Sequence, residues 1–173
     1  MKELKTQESE FIEYLEEYKK LIAKVARIYC KNPEDQKDLI QEIIIQLWKS
    51  FPKYDKTFSV STWTYRIALN VSISYLRKTS SRTKNHRIFL QENDLMHTED
   101  PVVDDKMVQL YLFIERLKPI DKAIIILSLE NCSNKEISEV MGMTASNVST
   151  RKLRIKEELK NYFETAKNHK DEI

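Results

Sequence analysis

Two stretches of this 173-residue sequence combine the residue types that bind polyanions. The first is Val60-Ser61-Thr62-Trp63-Thr64-Tyr65-Arg66-Ile67-Ala68-Leu69-Asn70, where rings alternate with a guanidinium and an amide behind a loop carrying Lys53 and Lys56. Rings in such a setting stack on unpaired bases while the cations follow phosphates, so the run suits single-stranded nucleic acid. Taken alone, Trp63 reads more readily as a core residue. The second stretch begins at Ser133-Asn134-Lys135-Glu136, a capping box in which the serine caps a helix and the glutamate reaches back to it. Gly142-Met143-Thr144 follows, then a helix with Arg151, Lys152, Arg154 and Lys156. Capped helix, three-residue turn and basic helix are the parts of a helix-turn-helix, whose second helix enters the major groove by its N-terminal residues. Those residues are Ala145, Ser146, Asn147, Ser149, Thr150 and Arg151. Arg151 or Arg154 suits a guanine edge or a phosphate, and Asn147 suits adenine, each good bidentate pair giving about 1–3 kcal/mol of discrimination. An ordinary helical hairpin with a solvated basic face is the competing reading. A third surface, Asp38, Gln41, Glu42 and Gln46, lies opposite Leu39, Ile43 and Leu47, and by itself it could simply be solvated.

Helices must position all three. Phe11, Tyr14, Leu15, Tyr18, Leu21, Ile22, Val25 and Tyr29 recur at three- and four-residue steps, predicting a helix over 9–30. Asn32 then caps a second helix that has Pro33 at its first position and Glu34 and Asp35 complementing its dipole. Leu39, Ile43, Ile44, Leu47 and Trp48 face inward along it until Phe51-Pro52 stops it. Residues 53–61 read as a loop and 62–78 as a third helix with Trp63, Ile67, Val71 and Leu76 inward. Periodicity fades after Thr79. It returns at Met107 with Leu110, Tyr111, Ile114 and Leu117, and Pro119 opens a helix through Ile120, Ala123, Ile124, Leu127 and Leu129. The capping-box helix points Ile137, Val140 and Met141 inward and stops at Gly142; Thr144 caps the last helix, from 145 to about 163, with 166–173 a polar tail. The expected fold is all-α, with helical domains at 8–80 and 106–167 and a flexible linker at 81–105. A fully extended 27-residue connector, 79–105, would span about 90 Å.

Composition narrows the function. One glycine stands against an ordinary share of roughly 7%, so a dinucleotide fingerprint, a Walker loop or a set of tight hairpins has nothing to build with. Few architectures other than joined helices survive, and most nucleotide-dependent enzymes are disfavoured. His86, His97 and His169 are scattered, and Cys30 and Cys132 have no ligand spacing; both cysteines read as small buried apolar groups, with no metal or cofactor expected. The net charge of +2 divides into +3 over 1–80, −3 over 81–105 and +2 over 106–173. Arg77, Lys78, Arg82, Lys84 and Arg87 run without an acid between them, as do Arg151, Lys152, Arg154 and Lys156, which points to polyanion contact in two places. With no spanning stretch and no signal-peptide core, a cytoplasmic protein is expected.

The ordered motifs resemble a known family. Asp38-Leu39-Ile40-Gln41-Glu42 through Leu47-Trp48, then Thr62-Trp63, Tyr65-Arg66-Ile67-Ala68, Asn70 and Leu76-Arg77-Lys78 resemble region 2 of the extracytoplasmic-function (group 4) sigma factors of bacterial RNA polymerase. Leu117-Lys118-Pro119 through Lys135-Glu136-Ile137 and Gly142 to Val148, Arg154 and Leu159 are similar to their region 4, and the resemblance covers about 8–165. It implies an alternative sigma factor without catalytic residues of its own. Asp38, Gln41, Glu42, Gln46 and Trp48 would bind the clamp helices of the polymerase largest subunit. Lys56, Trp63, Arg66, Asn70, Arg77 and Lys78 would open the minus-10 element and hold its non-template strand. Ser146, Asn147, Ser149, Thr150, Arg151 and Arg154 would read the minus-35 element. The linker would run toward the nascent RNA path, its acidic end mimicking nucleic acid. The resemblance also brings an anti-sigma factor in as a partner, and neither a small-molecule substrate nor a membrane span. Two positions depart from the pattern: Val60 stands where many relatives carry Phe, leaving Phe58 to supply a ring, and Lys152 takes a usually apolar position, where it must snorkel. The rival reading is a dimeric helix-turn-helix regulator that binds duplex DNA without polymerase; the long first domain and the Trp63 run, which such a regulator does not need, weigh against it.

Overall fold

A computed structural model describes residues 2–83 and 105–170, and all regular structure among them is helical. The helices are α1 (Lys2–Tyr29), α2 (Pro33–Ser50), α3 (Val60–Thr83), α4 (Asp105–Arg116), α5 (Pro119–Leu129), α6 (Asn134–Met141) and α7 (Ala145–Lys170), with a 3-10 turn over Phe51–Lys53. The local signals act as expected at several ends. Asn32 Oδ1 accepts from the Glu34 N–H at 2.8 Å. Ser133 Oγ accepts from the Glu136 N–H at 3.2 Å while Glu136 Oε2 accepts from the Ser133 N–H at 2.7 Å, closing the capping box. Thr144 Oγ1 accepts from the Asn147 N–H at 3.2 Å. The α3 start differs from expectation: it begins at Val60, because the Ser59 hydroxyl accepts from the Thr62 N–H at 3.1 Å and so caps the helix earlier. Most of the expected linker, residues 84–104, lies outside the described residues, as do His86 and His97; residues 81–83 continue α3 and Asp105 opens α4.

Helices α1, α2 and α3 close one core, and α5, α6 and α7 a second against which α4 packs. Phe11, Ile22, Val25, Leu39, Ile43, Leu47 and Leu69 fill the first; Ile124, Leu127, Ile137, Val148 and Ile155 fill the second. The expected inner face of α3 is corrected. Tyr65, Ala68, Leu69 and Ile73 are buried there, whereas Trp63, Ile67, Val71 and Leu76 are half-buried. The reason is that α3 is covered on two sides, by α1 and α2 and also by α5 and α6, so its buried arc is wide enough to include Thr64 and Ser72. Both hydroxyls are satisfied within the helix, donating to the carbonyls of Val60 and Ala68 at 2.7 and 2.8 Å. On α4, Phe113 is buried and Met107 and Tyr111 stand exposed, reversing the expectation for those two; Leu129 of α5 is exposed as well. Cys132 is only half-buried.

The two helical groups meet where α5 and α6 cover α3, and a polar seam flanks that junction. Tyr29 Oη donates to the Pro119 carbonyl at 2.8 Å, and burial pushes that phenol well above its ordinary pKa. Lys122 is buried beside it, its ammonium 5.8 Å from the Tyr29 ring centroid, and burial lowers its pKa. Lys31 pairs with Glu115 at 2.7 Å, and Lys24 pairs with Glu130.

The only glycine ends α6 at φ 65°, ψ 35°, and a Cβ there would meet nothing within 4 Å. The requirement is therefore conformational and not spatial. The N–H groups of Gly142 and Met143 both donate to the Ser138 carbonyl, closing the turn. Gly142→Val should cost the second helical group about 1–2 kcal/mol, the penalty for left-handed backbone, and Gly142→Asn clearly less. Urea unfolding of the two variants checks the order.

Candidate nucleic-acid and protein-binding surfaces

The α2 surface is the simplest. Asp38, Gln41 and Glu42 are exposed, and Gln46 Nε2 donates to Glu42 Oε1 at 3.0 Å, one turn away. Ile45, 44% exposed, adds an apolar contact to the same face. Gln46 and Trp48 are both half-buried, and Trp48 sets its ring edge-on to Phe11 at 4.9 Å, so it supports the face from the side of the core.

At the start of α3 the residues of the aromatic run converge. Trp63 sits among Tyr54, Tyr14 and Phe51 at ring distances of 5.1, 5.8 and 6.4 Å. Thr64 gives its only proton to the Val60 carbonyl, so Tyr14 Oη must donate to Thr64 Oγ1 at 2.8 Å. Burial raises the Tyr14 phenol to about 12, keeping it neutral. The loop ahead of α3 is held in shape by Tyr54 Oη donating to the Phe58 carbonyl at 2.7 Å and by the Thr57 N–H donating to Asp55 Oδ1 at 3.0 Å. The latter bond holds the Asp55 carboxyl below its usual range. Lys56 stands exposed between them at φ 61°, a left-handed lysine at the loop tip. Arg66 and Asn70 are exposed one turn apart, with the Arg66 guanidinium 5.7 Å from the Phe58 ring centroid. Arg77 and Lys78 continue along exposed α3. One cleft beside Trp63 is lined by Tyr14, Tyr18, Tyr54 and Val60 and by Glu10, Glu13 and Glu17 of α1.

The helix-turn-helix is α6 and α7. Val148 and Ile155 are buried, and the half-buried Lys152 carries its ammonium out to Asn134 Oδ1 at 3.0 Å. The lysine therefore snorkels as required and the rotation of α7 is fixed. Ser146, Asn147, Ser149 and Thr150 are exposed. Arg151, half-buried, and Arg154, exposed, are both tied to one acid. Asp121, buried in the first turn of α5, accepts from Arg151 Nη1 through Oδ1 and from Arg154 Nη2 through Oδ2, both at 2.7 Å. Arg151 Nε also donates to Asn147 Oδ1 at 3.0 Å, and Arg154 lies 3.6 Å from Glu158. Sequence reasoning missed Asp121. The three-residue spacing of the two arginines puts them near one side of α7, but nothing local says that an acid thirty residues earlier faces them.

Fold and surfaces together define an all-helical protein in which a first three-helix group bears an aromatic, cationic loop and a second ends in a helix-turn-helix. Residues 14–82 match the family profile described as Sigma-70 region 2, and 107–159 match Sigma-70, region 4. RNA polymerase sigma factor SigV of Bacillus subtilis is 26% identical over 152 residues, covering 87% of this chain and 89% of SigV. The ECF RNA polymerase sigma-E factor of Haemophilus influenzae is 25% identical, covering 82% and 80%. The sigma factor RpoE of Bartonella quintana, solved with the anti-sigma factor NepR, has the same fold at 15% identity, with a TM-score of 0.73 over 90% of this chain and 97% of that one. CnrH, solved with the cytosolic domain of CnrY, superposes with a TM-score of 0.63 at 16% identity, over 90% and 88%. The chain belongs to the sigma-70 family, in its extracytoplasmic-function group. No helix among the described residues is long and apolar enough to cross a membrane.

Removing one partner of a fully buried ion pair costs roughly 3–5 kcal/mol. Both guanidiniums here reach water, Arg151 at 29% and Arg154 at 49% side-chain exposure, so Asp121→Ala should cost about 2 kcal/mol. Arg154→Ala, which leaves the carboxylate one partner, should cost less. Thermal unfolding of the three proteins gives the ranking.

Proposed function

We propose that this chain is an alternative sigma factor that joins core RNA polymerase and directs initiation at specific promoters. The observation that carries the reading is the order of two family regions along one chain, the second built as a capped and correctly turned helix-turn-helix. The units at 8–80 and 106–167 act at different places on the promoter, joined by 81–105. The chain supplies no catalytic residue; bond formation belongs to polymerase, and the place of action is the cytoplasm.

Each surface then has a task that its chemistry fits. The α2 face of Asp38, Gln41, Glu42 and Gln46, backed by Trp48, docks on the clamp helices of the largest subunit, its carboxylates and amides meeting basic and polar groups there. Lys56, Trp63, Arg66, Asn70, Arg77 and Lys78 take the minus-10 element. A preformed aromatic floor around Trp63 favours an unstacked base, each such stack giving about 1–3 kcal/mol. Glu10, Glu13 and Glu17, which line the cleft beside Trp63, repel phosphates, so a base enters the cleft while the backbone follows the cations of Arg66, Arg77 and Lys78. Ser146, Asn147, Ser149 and Thr150 enter the major groove of the minus-35 element, with Arg151 and Arg154 at their flank, the latter able to reach a phosphate. An anti-sigma factor is the regulatory partner we expect, as RpoE of Bartonella quintana has one.

Purified chain added to core bacterial polymerase should yield promoter-specific transcripts. Glu42→Ala should weaken core binding by about 1–2 kcal/mol without changing which promoters are used, whereas Trp63→Ala should bind core normally and lose open-complex formation. A chain that neither joins core nor directs initiation overturns the reading.

A further inference from the structure

The face of α7 opposite its buried stripe carries one large apolar side chain. Leu153 is 59% exposed. It lies five positions after buried Val148 and two before buried Ile155, which at 3.6 residues per turn puts it on the far side of the helix from both. It shares that side with Ser146, two turns earlier, and with Ser149 and Thr150, one turn earlier, all exposed. No acid stands between Ala145 and Lys156. Arg151 and Arg154, the residues best equipped to read guanine, are both engaged by Asp121. What the helix presents to a groove is therefore a stripe of hydroxyls with a leucine two turns in.

An exposed leucine in that setting stands outside the apolar core of the described residues, and one feature of the major groove suits it. Among the four base edges displayed there, only thymine presents a methyl group, and apolar side chains recognise it by contact. Ser149 beside it can donate to the thymine O4, and Thr150, whose own proton goes to the Ser146 carbonyl at 3.0 Å, can accept from the adenine amino group of the same pair. Lys156, exposed one turn further on, carries the charge that holds the phosphate backbone near.

We propose that Leu153 is a specificity-determining residue of the reading helix and takes the C5-methyl of a thymine in the upstream promoter element. The proposal rests on the sigma-factor reading and adds to it the kind of base pair this chain prefers at one position.

Replacing thymine by deoxyuridine removes the methyl and leaves every hydrogen-bonding group in place. Promoter duplexes are first selected from randomised DNA with holoenzyme built from the full wild-type chain, and each upstream thymine is then replaced in turn. At one position the replacement should weaken wild-type holoenzyme binding about three- to fourfold, the worth of one buried methyl-sized group. Holoenzyme with Leu153→Ala should bind the thymine and deoxyuridine duplexes equally there, and Leu153→Met, still apolar, should retain most of the difference. Since Leu153 is exposed, all three proteins should unfold at the same temperature, so a fold defect cannot imitate the result. Promoter complexes indifferent to deoxyuridine at every upstream position, or a deoxyuridine penalty unchanged in Leu153→Ala, overturn the proposal alone. Failure to recover any promoter-specific complex overturns the sigma-factor reading and the proposal with it.

Discussion

An unpaired carboxylate with the 4% side-chain exposure of Asp121 would carry a desolvation cost of several kcal/mol, which the fold offsets with two charge-assisted hydrogen bonds from Arg151 and Arg154. The arrangement is a constraint as much as a contact. Each carboxylate oxygen has its own guanidinium, and the two arginines are spaced three apart on α7, so neither translation nor rotation of α7 against α5 can keep both bonds. Val148 and Ile155 fill the core beneath, but apolar packing is non-directional and tolerates slippage better than a forked ion pair does. The outward presentation of Ser146, Ser149, Thr150 and Leu153 follows from that registration.

Backbone conformation supplies a second constraint. Three described residues sit at positive φ: Lys56, Asn131 and Gly142. Gly142 makes the turn of the helix-turn-helix. Asn131 ends α5 with a left-handed step in which the Cys132 N–H reaches back to the Leu127 carbonyl at 3.0 Å, the use for which asparagine substitutes best for glycine. Lys56 is the unexpected one, because a lysine gains nothing from that conformation by itself. It lies at the tip of the loop that leads to Trp63, where local strain is most often met at functional positions.

Much of the fold was legible because its signals are local. Asn32-Pro33, Ser133 with Glu136, Gly142 and Thr144 each mark a helix end through a bond spanning two to four residues, and each end is found where that chemistry puts it. The inner faces of α1 and α2 follow from periodicity, since each helix is covered on one side. Periodicity failed on α3, which is covered on two, and on α4, where Tyr111 and Phe113 compete for the interior and only packing decides between them. The surfaces divide the same way. Exposed Asp38, Gln41, Glu42, Arg66 and Asn70 could be placed from helical spacing alone. Long-range partners could not: the grip of Asp121 on α7, the seam formed by Tyr29 and Lys122, and the exposure of Leu153 all depend on how separate helices are docked.

In the proposed function one chain, bound to polymerase, grips duplex DNA with α7 while the first helical group holds DNA that is no longer paired. Chemical probing of a promoter bound by the reconstituted holoenzyme tests both halves at once, with hydroxyl radicals reporting protected backbone and permanganate reporting unpaired thymines. A sigma factor of this kind should give an upstream protected patch on duplex DNA and a separate downstream segment of reactive thymines, both lost when core polymerase is omitted. A single duplex footprint formed by the chain alone, with no reactive thymines, would contradict it and describe a duplex-binding regulator instead.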